Sequence, residues 1–315
     1  MKTEVVFIGI TMVFLGCVIL YEYGSPKADH GRVEITPETL SIGKTNPTLW
    51  LFYNTSDVNS RHWLDFGARS SYAINIPLLN LLYERIVRMN GKQYNVRVLN
   101  GLSAVAEVLG GWEHLPKRLQ KDKARIYVAE EDWIRTALLA KFGGLWLSPS
   151  VCALRPFGAL PKDRIVTFGQ DAGSGSCIWV PTPGNPIFVE WEKRIRRRLE
   201  EQTGGFQIRG DSASDWQELV EESKGPLPAV GGQTFEVRPL EELARSKRGK
   251  KLELEDIFAT GTEGRLTFDI PPGAKYLVIP YHDLLERSAW GWVLRMSEEQ
   301  ILSSDLALSH ILSRK

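Results

Sequence analysis

The sequence predicts an α/β domain with a mostly parallel sheet flanked by helices, preceded by one N-terminal transmembrane helix. From Thr48 onward, short apolar runs alternate with stretches of helical period, and such alternation is typical of α/β sheets. Residues 5–21 contain no charge, as expected of a membrane-spanning segment. The 315 residues are 43% hydrophobic, which suffices for one large core or two small ones.

The N-terminal segment Val5 to Tyr21 has seventeen uncharged residues. That is within the range of roughly 17–25 for a membrane-spanning helix and above the usual 7–15 of a signal-peptide core. No small-x-small cleavage site follows it, so a signal-anchor is favoured over a cleaved signal. Lys2 precedes the segment and Glu22 follows it, which favours a cytoplasmic N-terminus. The predicted location is a secretory-pathway or other intracellular membrane.

Three regions are therefore predicted. Residues 1–21 form the single-pass anchor, residues 22–47 a polar, proline-containing stem, and residues 48–315 one folded domain.

The first half of the domain begins with a buried-strand candidate at Thr48–Tyr53. A helix capped by Ser70 or Ser71 is predicted to run to about Met89, because its apolar residues recur at helical spacing. The later elements of this half are a strand at Tyr94–Leu99, helices at Ala104–Leu109 and Glu130–Phe142, and strands at Leu145–Leu147 and Arg164–Phe168.

In the second half, an amphipathic helix is predicted at Ile187–Leu199, with Trp191 on its apolar face. A further helix begins near Ser212, after a turn at Arg209-Gly210-Asp211. A late strand is predicted at Tyr276–Ile279, and a final helix at Ser297–Leu312 with a capping box at its start.

Composition excludes some classes of function. Thirty-nine basic and 38 acidic residues leave a net charge of +1, so no strong field favours nucleic acid. Three cysteines do not indicate a disulfide framework. Cys152 and Cys177 either pair or remain buried thiols, and the buried-thiol interpretation is favoured because a thiol packs as a small hydrophobe.

The stretch Glu131–Phe157 carries the most specific motif in the chain. It resembles glycosyltransferases with an Asp-x-Asp sugar-binding region, a group that includes initiating mannosyltransferases, inositol-phosphoceramide mannosyltransferases and capsular polysaccharide synthesis enzymes. A segment at Glu286–Trp292 resembles the end of that region more loosely. The matching positions in the central stretch are Asp132, Arg135, Leu138, Leu139, Gly143, Gly144, Trp146, Leu154 and Pro156.

The resemblance implies a GT-A-type, Rossmann-like fold and transfer of a sugar from a nucleotide-sugar donor to a hydroxyl of a glycan, lipid or protein. It places Asp132, Arg135, Gly143 and Gly144 in the donor pocket. It also implies a divalent metal, Mn²⁺ or Mg²⁺, held by the Asp-x-Asp carboxylates so that the leaving diphosphate is stabilised.

The sequence departs from this pattern at the metal site, where Ser148-Pro149-Ser150 replaces Asp-x-Asp. Three accounts remain open. Other residues bind the metal, with Asp171 and His282 as candidates; or Arg and Lys neutralise the diphosphate without metal; or catalysis is lost. In the last case the domain is a pseudoenzyme that binds protein partners as an accessory subunit of a membrane assembly.

Polar residues also follow the first strand. Asn54 and Asp57 lie where open α/β sheets bind ligands, beyond the carboxyl ends of their strands; the alternative is a polar turn. The predicted donor-binding set is therefore Asp132, Arg135, Gly143, Gly144, Asn54, Asp57, Ser148 and Ser150. No catalytic residue is assigned.

Overall fold

The computed structural model describes residues 46–54, 76–121, 123, 126–168, 176–201, 211–224, 234–238, 245–246, 252–260, 266, 268–286 and 288–313. These residues belong to one compact unit, Thr45–Lys315. The predicted anchor at residues 5–21 and the predicted stem up to residue 45 lie outside the described ranges. Within those ranges, no helix is long and apolar enough to cross a membrane.

A six-stranded sheet has the order β2-β1-β3-β6-β5-β7. Five of its strands run in one direction, and β6 is antiparallel to both of its neighbours. This confirms the mixed α/β fold with a mostly parallel sheet. The strands are β1 (Thr48–Tyr53), β2 (Asn95–Asn100), β3 (Gly144–Leu147), β4 (Val151–Ala153), β5 (Arg164–Phe168), β6 (Cys177–Val180), β7 (Thr234–Arg238), β8 (Arg245–Ser246), β9 (Phe268–Asp269) and β10 (Tyr276–Val278).

Helices flank the sheet and also follow it in the chain. They are α1 (Pro77–Asn90), α2 (Gly101–Leu109), α3 (Val128–Phe142), α4 (Pro186–Glu201), α5 (Asp211–Lys224), α6 (Leu254–Ile257), α7 (Tyr281–Glu286), α8 (Glu298–Ser303) and α9 (Ala307–Leu312). Short 3-10 turns occur at Trp112–His114, Lys117–Leu119, Ser288–Trp290 and Val293–Arg295.

Residues alternate between the two faces of the sheet and bury two separate layers. Leu51 and Leu147 face α1 and the C-terminal helices. Trp50 and Trp146 face α2, α3 and α4. Strands covered on both faces have to be apolar throughout, which explains why β1 and β3 are continuous apolar runs.

Two further strands pair outside the main sheet. β4 is antiparallel to β10, so the predicted late strand forms, but in a separate two-stranded sheet. Arg85 connects this pair to the C-terminus. Its Nε donates to the carbonyl oxygen of Ala153 at 2.6 Å, and its Nη1 donates to that of Leu312 at 3.1 Å. The buried guanidinium therefore holds α1, β4 and α9 together.

The single final helix predicted at Ser297–Leu312 is wrong. The capping box at Ser297 and Gln300 forms as predicted, but α8 ends at Ser303 and α9 starts at Ala307. Leu306 between them is extended, and it forms a β-bridge with Thr260. This tertiary pairing replaces the helical hydrogen bonds that the apolar periodicity predicted.

Most other elements coincide with the predictions within a few residues, and β1 and β5 match at both ends. The predicted start of the first helix at Ser70 or Ser71 lies outside the described residues. Cys152 and Cys177 are buried thiols rather than a disulfide. Burial raises the pKa of the Cys152 thiol to about 12, because a low-dielectric surrounding disfavours the thiolate.

Candidate functional site

The carboxyl ends of β1 and β3 border the topological switch point of the sheet. β1 leads to β2 on one side of it, and β3 leads onward to β5 on the other side. In open α/β sheets the connections diverge at such a point and leave a crevice where ligands bind. Asn54 follows β1 and Ser148 follows β3. The described part of the sheet therefore has its candidate ligand site between these two strand ends.

The strand order places the ends of two polar sequences at the same edge of the sheet. β1 and β3 are parallel neighbours, with Trp50 paired to Trp146, so Asn54 after β1 and Ser148 after β3 both lie at their carboxyl ends. Ser148 remains in the sheet, since its N–H donates to the carbonyl oxygen of Ser176 at 2.8 Å. Asn54, Ser148 and Ser150 are all half-buried at this edge.

The Ser148–Ser150 turn does not fit a divalent metal. The hydroxyls of Ser148 and Ser150 lie 3.0 Å apart and form a hydrogen bond with each other. They supply no negative charge, whereas protein sites for Mn²⁺ and Mg²⁺ usually include at least one carboxylate among their oxygen ligands. Within the described ranges, no three His, Cys, Asp or Glu residues are grouped to hold a metal. Asp171 and the side chain of His282 lie outside the described part.

The first turns of α3 lie level with the same edge of the sheet. α3 ends at Phe142, directly before Gly143 and β3. The apolar residues of α3 pack in the same layer as Trp146 of β3, so the chain reverses at Gly143 and the helix runs back along the strand. Asp132 lies about 16 Å back along the helix axis at 1.5 Å per residue. Ser148 lies about 16 Å forward along the strand at 3.3 Å per residue. The sequence therefore brings Asp132 to the height of the crevice.

Asp132 and Arg135 form a buried ion pair. Arg135 Nη2 is 2.9 Å from Asp132 Oδ1, and the two side chains are 4% and 12% exposed. One face of the guanidinium lies over the Trp191 ring at 5.4 Å from the centroid, a distance at which cation–π attraction is effective. Arg135 Nε has no hydrogen-bond partner among the described residues. The pair thus fixes the guanidinium and leaves a donor available.

The role of Trp191 was missed at the sequence level. Its spacing on an amphipathic helix predicted a core residue, and it is indeed completely buried. Its ring contacts Trp216 at a centroid distance of 4.7 Å, so it is held rigidly beneath Arg135. The apolar spacing of α4 predicts that Trp191 is buried, but not that it contacts Arg135. That contact follows only when α4 is known to pack against α3.

Glu130 holds the start of α3 in place. Its side chain is fully buried and accepts hydrogen bonds from Arg118 Nε at 2.8 Å and Lys123 Nζ at 2.5 Å. Its other oxygen accepts from the backbone N–H of Tyr127 at 3.0 Å. A carboxylate at a helix N-terminus also interacts favourably with the helix dipole. These contacts fix the helix segment that carries Asp132.

Gly143 and Gly144 lie at the opposite end of β3 from Ser148, so the strand separates them from the crevice. Both have positive φ, 64° and 101°, which glycine adopts without strain. A Cβ on Gly144 would be 2.4 Å from the carbonyl oxygen of Thr48. The two glycines allow β1 and β3 to approach, and they are not part of the donor site proposed below.

Two further predicted site residues, Asn54 and Asp57, follow β1 in the chain, and the structure describes only the first of them. Asn54 lies at the crevice, as the strand order requires. Asp57 lies outside the described residues.

Comparisons with known proteins add a distant structural similarity. No family model matches the chain, and no curated protein matches it. Among solved structures, the chain is similar to "PaToxG Glycosyltransferase", with 13% identity and a TM-score of 0.35 over 57% of this chain and 71% of that one. A similarity at this level does not establish a common fold.

Proposed function

We propose that the protein is a glycosyltransferase-like protein that binds a nucleotide sugar at the β1/β3 crevice and transfers its sugar to a hydroxyl acceptor. The observation that carries the proposal is the position of Asn54 and Ser148 at the switch point, level with the buried Asp132–Arg135 pair. The residues that match the glycosyltransferase motif support the same conclusion. The acceptor is a glycan, a lipid or a protein.

In this reaction the acceptor oxygen forms a bond to the anomeric carbon of the sugar. The nucleoside diphosphate leaves with the electron pair of the broken carbon–oxygen bond, and the acceptor proton passes to solvent. Asn54, Ser148 and Ser150 offer neutral hydrogen bonds to the donor. We assign to the Arg135 N–H groups, on the first turns of α3, the stabilisation of negative charge as it develops.

Binding of a panel of UDP- and GDP-sugars to the full-length chain in lipid nanodiscs tests the proposal by calorimetry. We expect saturable binding, and Asn54→Ala should weaken it about tenfold, the equivalent of about 1.4 kcal/mol. Asn46→Ala is the matched control, since Asn46 is exposed before the amino end of β1 and should leave affinity unchanged. No binding of any donor by the wild-type protein would overturn the proposal.

Repeating the titration with Mn²⁺ tests the metal. Because the Ser148–Ser150 turn lacks carboxylates, we expect Mn²⁺ to leave donor affinity unchanged. Stronger binding in Mn²⁺ would indicate a metal site elsewhere, and Asp171 and His282 would then be the first residues to replace.

Two observations favour a second candidate, a nucleotide-sugar-binding accessory subunit without transferase activity. The Arg135 charge is already balanced by Asp132 at 2.9 Å, and the Ser148 and Ser150 hydroxyls bond to each other. Less charge is then available for a leaving diphosphate than in an active site with a metal. Donor binding without release of nucleoside diphosphate, over the acceptor panel, would favour this candidate.

We also propose that residues 5–21 anchor the protein in a membrane of the secretory pathway or another intracellular membrane. The uncharged run of seventeen residues supports this. Retention of the full-length chain in membranes after alkaline carbonate extraction is expected, and its release by carbonate would contradict the anchor.

A further inference from the structure

We propose that Trp191 is a positioning residue of the candidate site, which orients the Arg135 guanidinium toward the bound nucleotide sugar. This inference rests on the proposed function and names a residue outside the motif at Glu131–Phe157. Trp191 lies on α4, whereas Arg135 lies on α3. Because the Trp191 side chain is completely buried, it acts through Arg135 and not by contact with the ligand.

Asp132 attracts the charge of Arg135 but does not fix the orientation of the guanidinium. Arg135 Nη2 is 2.9 Å from Asp132 Oδ1, yet neither Nη2 nor Nε of Arg135 has a hydrogen-bond partner among the described residues. A hydrogen bond has a preferred angle, whereas the attraction between two charges depends on their distance. The guanidinium is therefore able to pivot about the ion pair unless a second contact holds it.

Trp191 supplies the second contact. The guanidinium carbon of Arg135 lies over the Trp191 ring, 5.4 Å from its centroid. Tryptophan attracts a cation more strongly than the other aromatic side chains do, and the attraction is larger where water is excluded. The Arg135 side chain is only 4% exposed, so the contact is shielded from water. Asp132 and Trp191 together hold the guanidinium at two points, which fixes its orientation.

The Trp191 ring is itself held in place by other aromatic side chains. Its centroid is 4.7 Å from that of Trp216 on α5 and 5.6 Å from that of Phe188, three residues earlier on α4. Both neighbours are buried. Side chains in a close-packed interior cannot turn without displacing their neighbours. α4 and α5 thus form a rigid support for a side chain that α3 carries.

The unsatisfied donors of Arg135 indicate what this orientation serves. Buried N–H groups normally have hydrogen-bond partners, and leaving them without one is unfavourable for the unliganded protein. A nucleotide sugar carries hydroxyl and phosphate oxygens, which accept hydrogen bonds from a guanidinium, most strongly where the oxygen is charged. Fixing a binding group before the ligand arrives lowers the entropic cost of binding. Trp191 therefore raises the affinity for the ligand without contacting it.

Trp191→Phe and Trp191→Met in the full-length chain separate orientation from packing. Both variants remove volume from a close-packed core, so both should unfold at a lower temperature than the wild type. Only phenylalanine keeps an aromatic face under Arg135. Calorimetry in lipid nanodiscs, at a temperature where circular dichroism shows both variants folded, measures affinity for the UDP- or GDP-sugar that the wild type binds best. We expect a loss of about threefold for Trp191→Phe and about tenfold for Trp191→Met.

Trp133→Met is the matched control. Trp133 is also completely buried, and its ring also lies under a cation, with the guanidinium carbon of Arg196 5.0 Å from the centroid. Arg196 is not part of the candidate site. The control variant should therefore unfold at a lower temperature but keep the affinity of the wild type. If a methionine variant does not fold, Trp191→Phe against Trp133→Phe gives the same comparison.

The possible outcomes distinguish the two proposals. If the wild type binds a nucleotide sugar and the Trp191 variants bind it equally well, the role of Trp191 is refuted and the proposed function stands. Equal losses of affinity for Trp191→Phe and Trp191→Met would show that the aromatic face is not what matters. A loss for the Trp133 variant as large as for its Trp191 counterpart would assign the effect to the packing of α3 against α4. Either result overturns the inference, and absence of binding by the wild type overturns both proposals.

Discussion

Arg135→Met is expected to lower the free energy of unfolding by about 3–5 kcal/mol, because it leaves the Asp132 carboxylate buried without its guanidinium. The two side chains are 4% and 12% exposed, so water cannot replace the lost charge. Methionine keeps an apolar chain against Trp191, which limits the change to the charge and its contact with the ring. Urea unfolding followed by tryptophan fluorescence measures the effect.

An exposed ion pair on the same protein is the control. Arg164 and Asp163 lie 2.9 Å apart but are 39% and 66% exposed. Arg164→Met should therefore change the free energy of unfolding by less than about 1 kcal/mol. A loss as large as that of Arg135→Met would contradict the assignment of the Arg135 effect to burial.

The double variant Asp132→Leu/Arg135→Met tests whether the pair also serves the ligand. Replacing both members of a buried ion pair by apolar residues is often neutral for stability, so most of the lost stability should return. Nucleotide-sugar affinity should not return, because the polar groups of the donor pocket are absent. Recovery of both stability and affinity would show that the pair only holds α3 against α4.

The sequence predicted the elements with the strongest periodicity and missed those defined by tertiary pairing. α4 is visible in the chain because Ile187, Trp191 and Ile195 recur on one helical face. β6 was not predicted: its four residues form a short apolar run, and nothing local shows that it pairs antiparallel to β3 and β5. Strand direction is a property of the assembled sheet.

The candidate site was predictable only in part. Strand order alone places Asn54 and Ser148 at the same edge of the sheet, and this could be anticipated from the rule about carboxyl ends. The contact of Trp191 with Arg135 was not predictable, since an aromatic residue on an amphipathic helix is indistinguishable from a core residue. Only the packed structure shows that the ring lies under the guanidinium.

The glycine pair of the motif has a structural role in the packing of the sheet. The resemblance placed Gly143 and Gly144 in the donor pocket together with Asp132 and Arg135. In the structure, the carbonyl oxygen of Gly143 accepts a hydrogen bond from Trp50 Nε1 at 2.9 Å. The glycines therefore join α3 to β3 and seat β3 against β1.

Gly144→Ala should accordingly be among the most destabilising single substitutions, with a loss of more than about 4 kcal/mol. A φ of 101° is strained for alanine, which accounts for about 1–2 kcal/mol. The added Cβ would also lie 2.4 Å from the backbone oxygen of Thr48 and 3.1 Å from Trp50 Nε1. Because backbone cannot move aside alone, β1 and β3 must separate, and urea unfolding or the soluble yield measures the consequence.

Gly158→Ala isolates the conformational part of that loss. Gly158 also has positive φ, 74°, but a Cβ there would meet nothing within 4 Å. Its substitution should cost only about 1–2 kcal/mol from backbone strain. Equal losses for Gly144→Ala and Gly158→Ala would mean that close approach of β1 to β3 is not what requires Gly144. A much larger loss at Gly144 would establish that this glycine of the motif is required by the packing of the sheet.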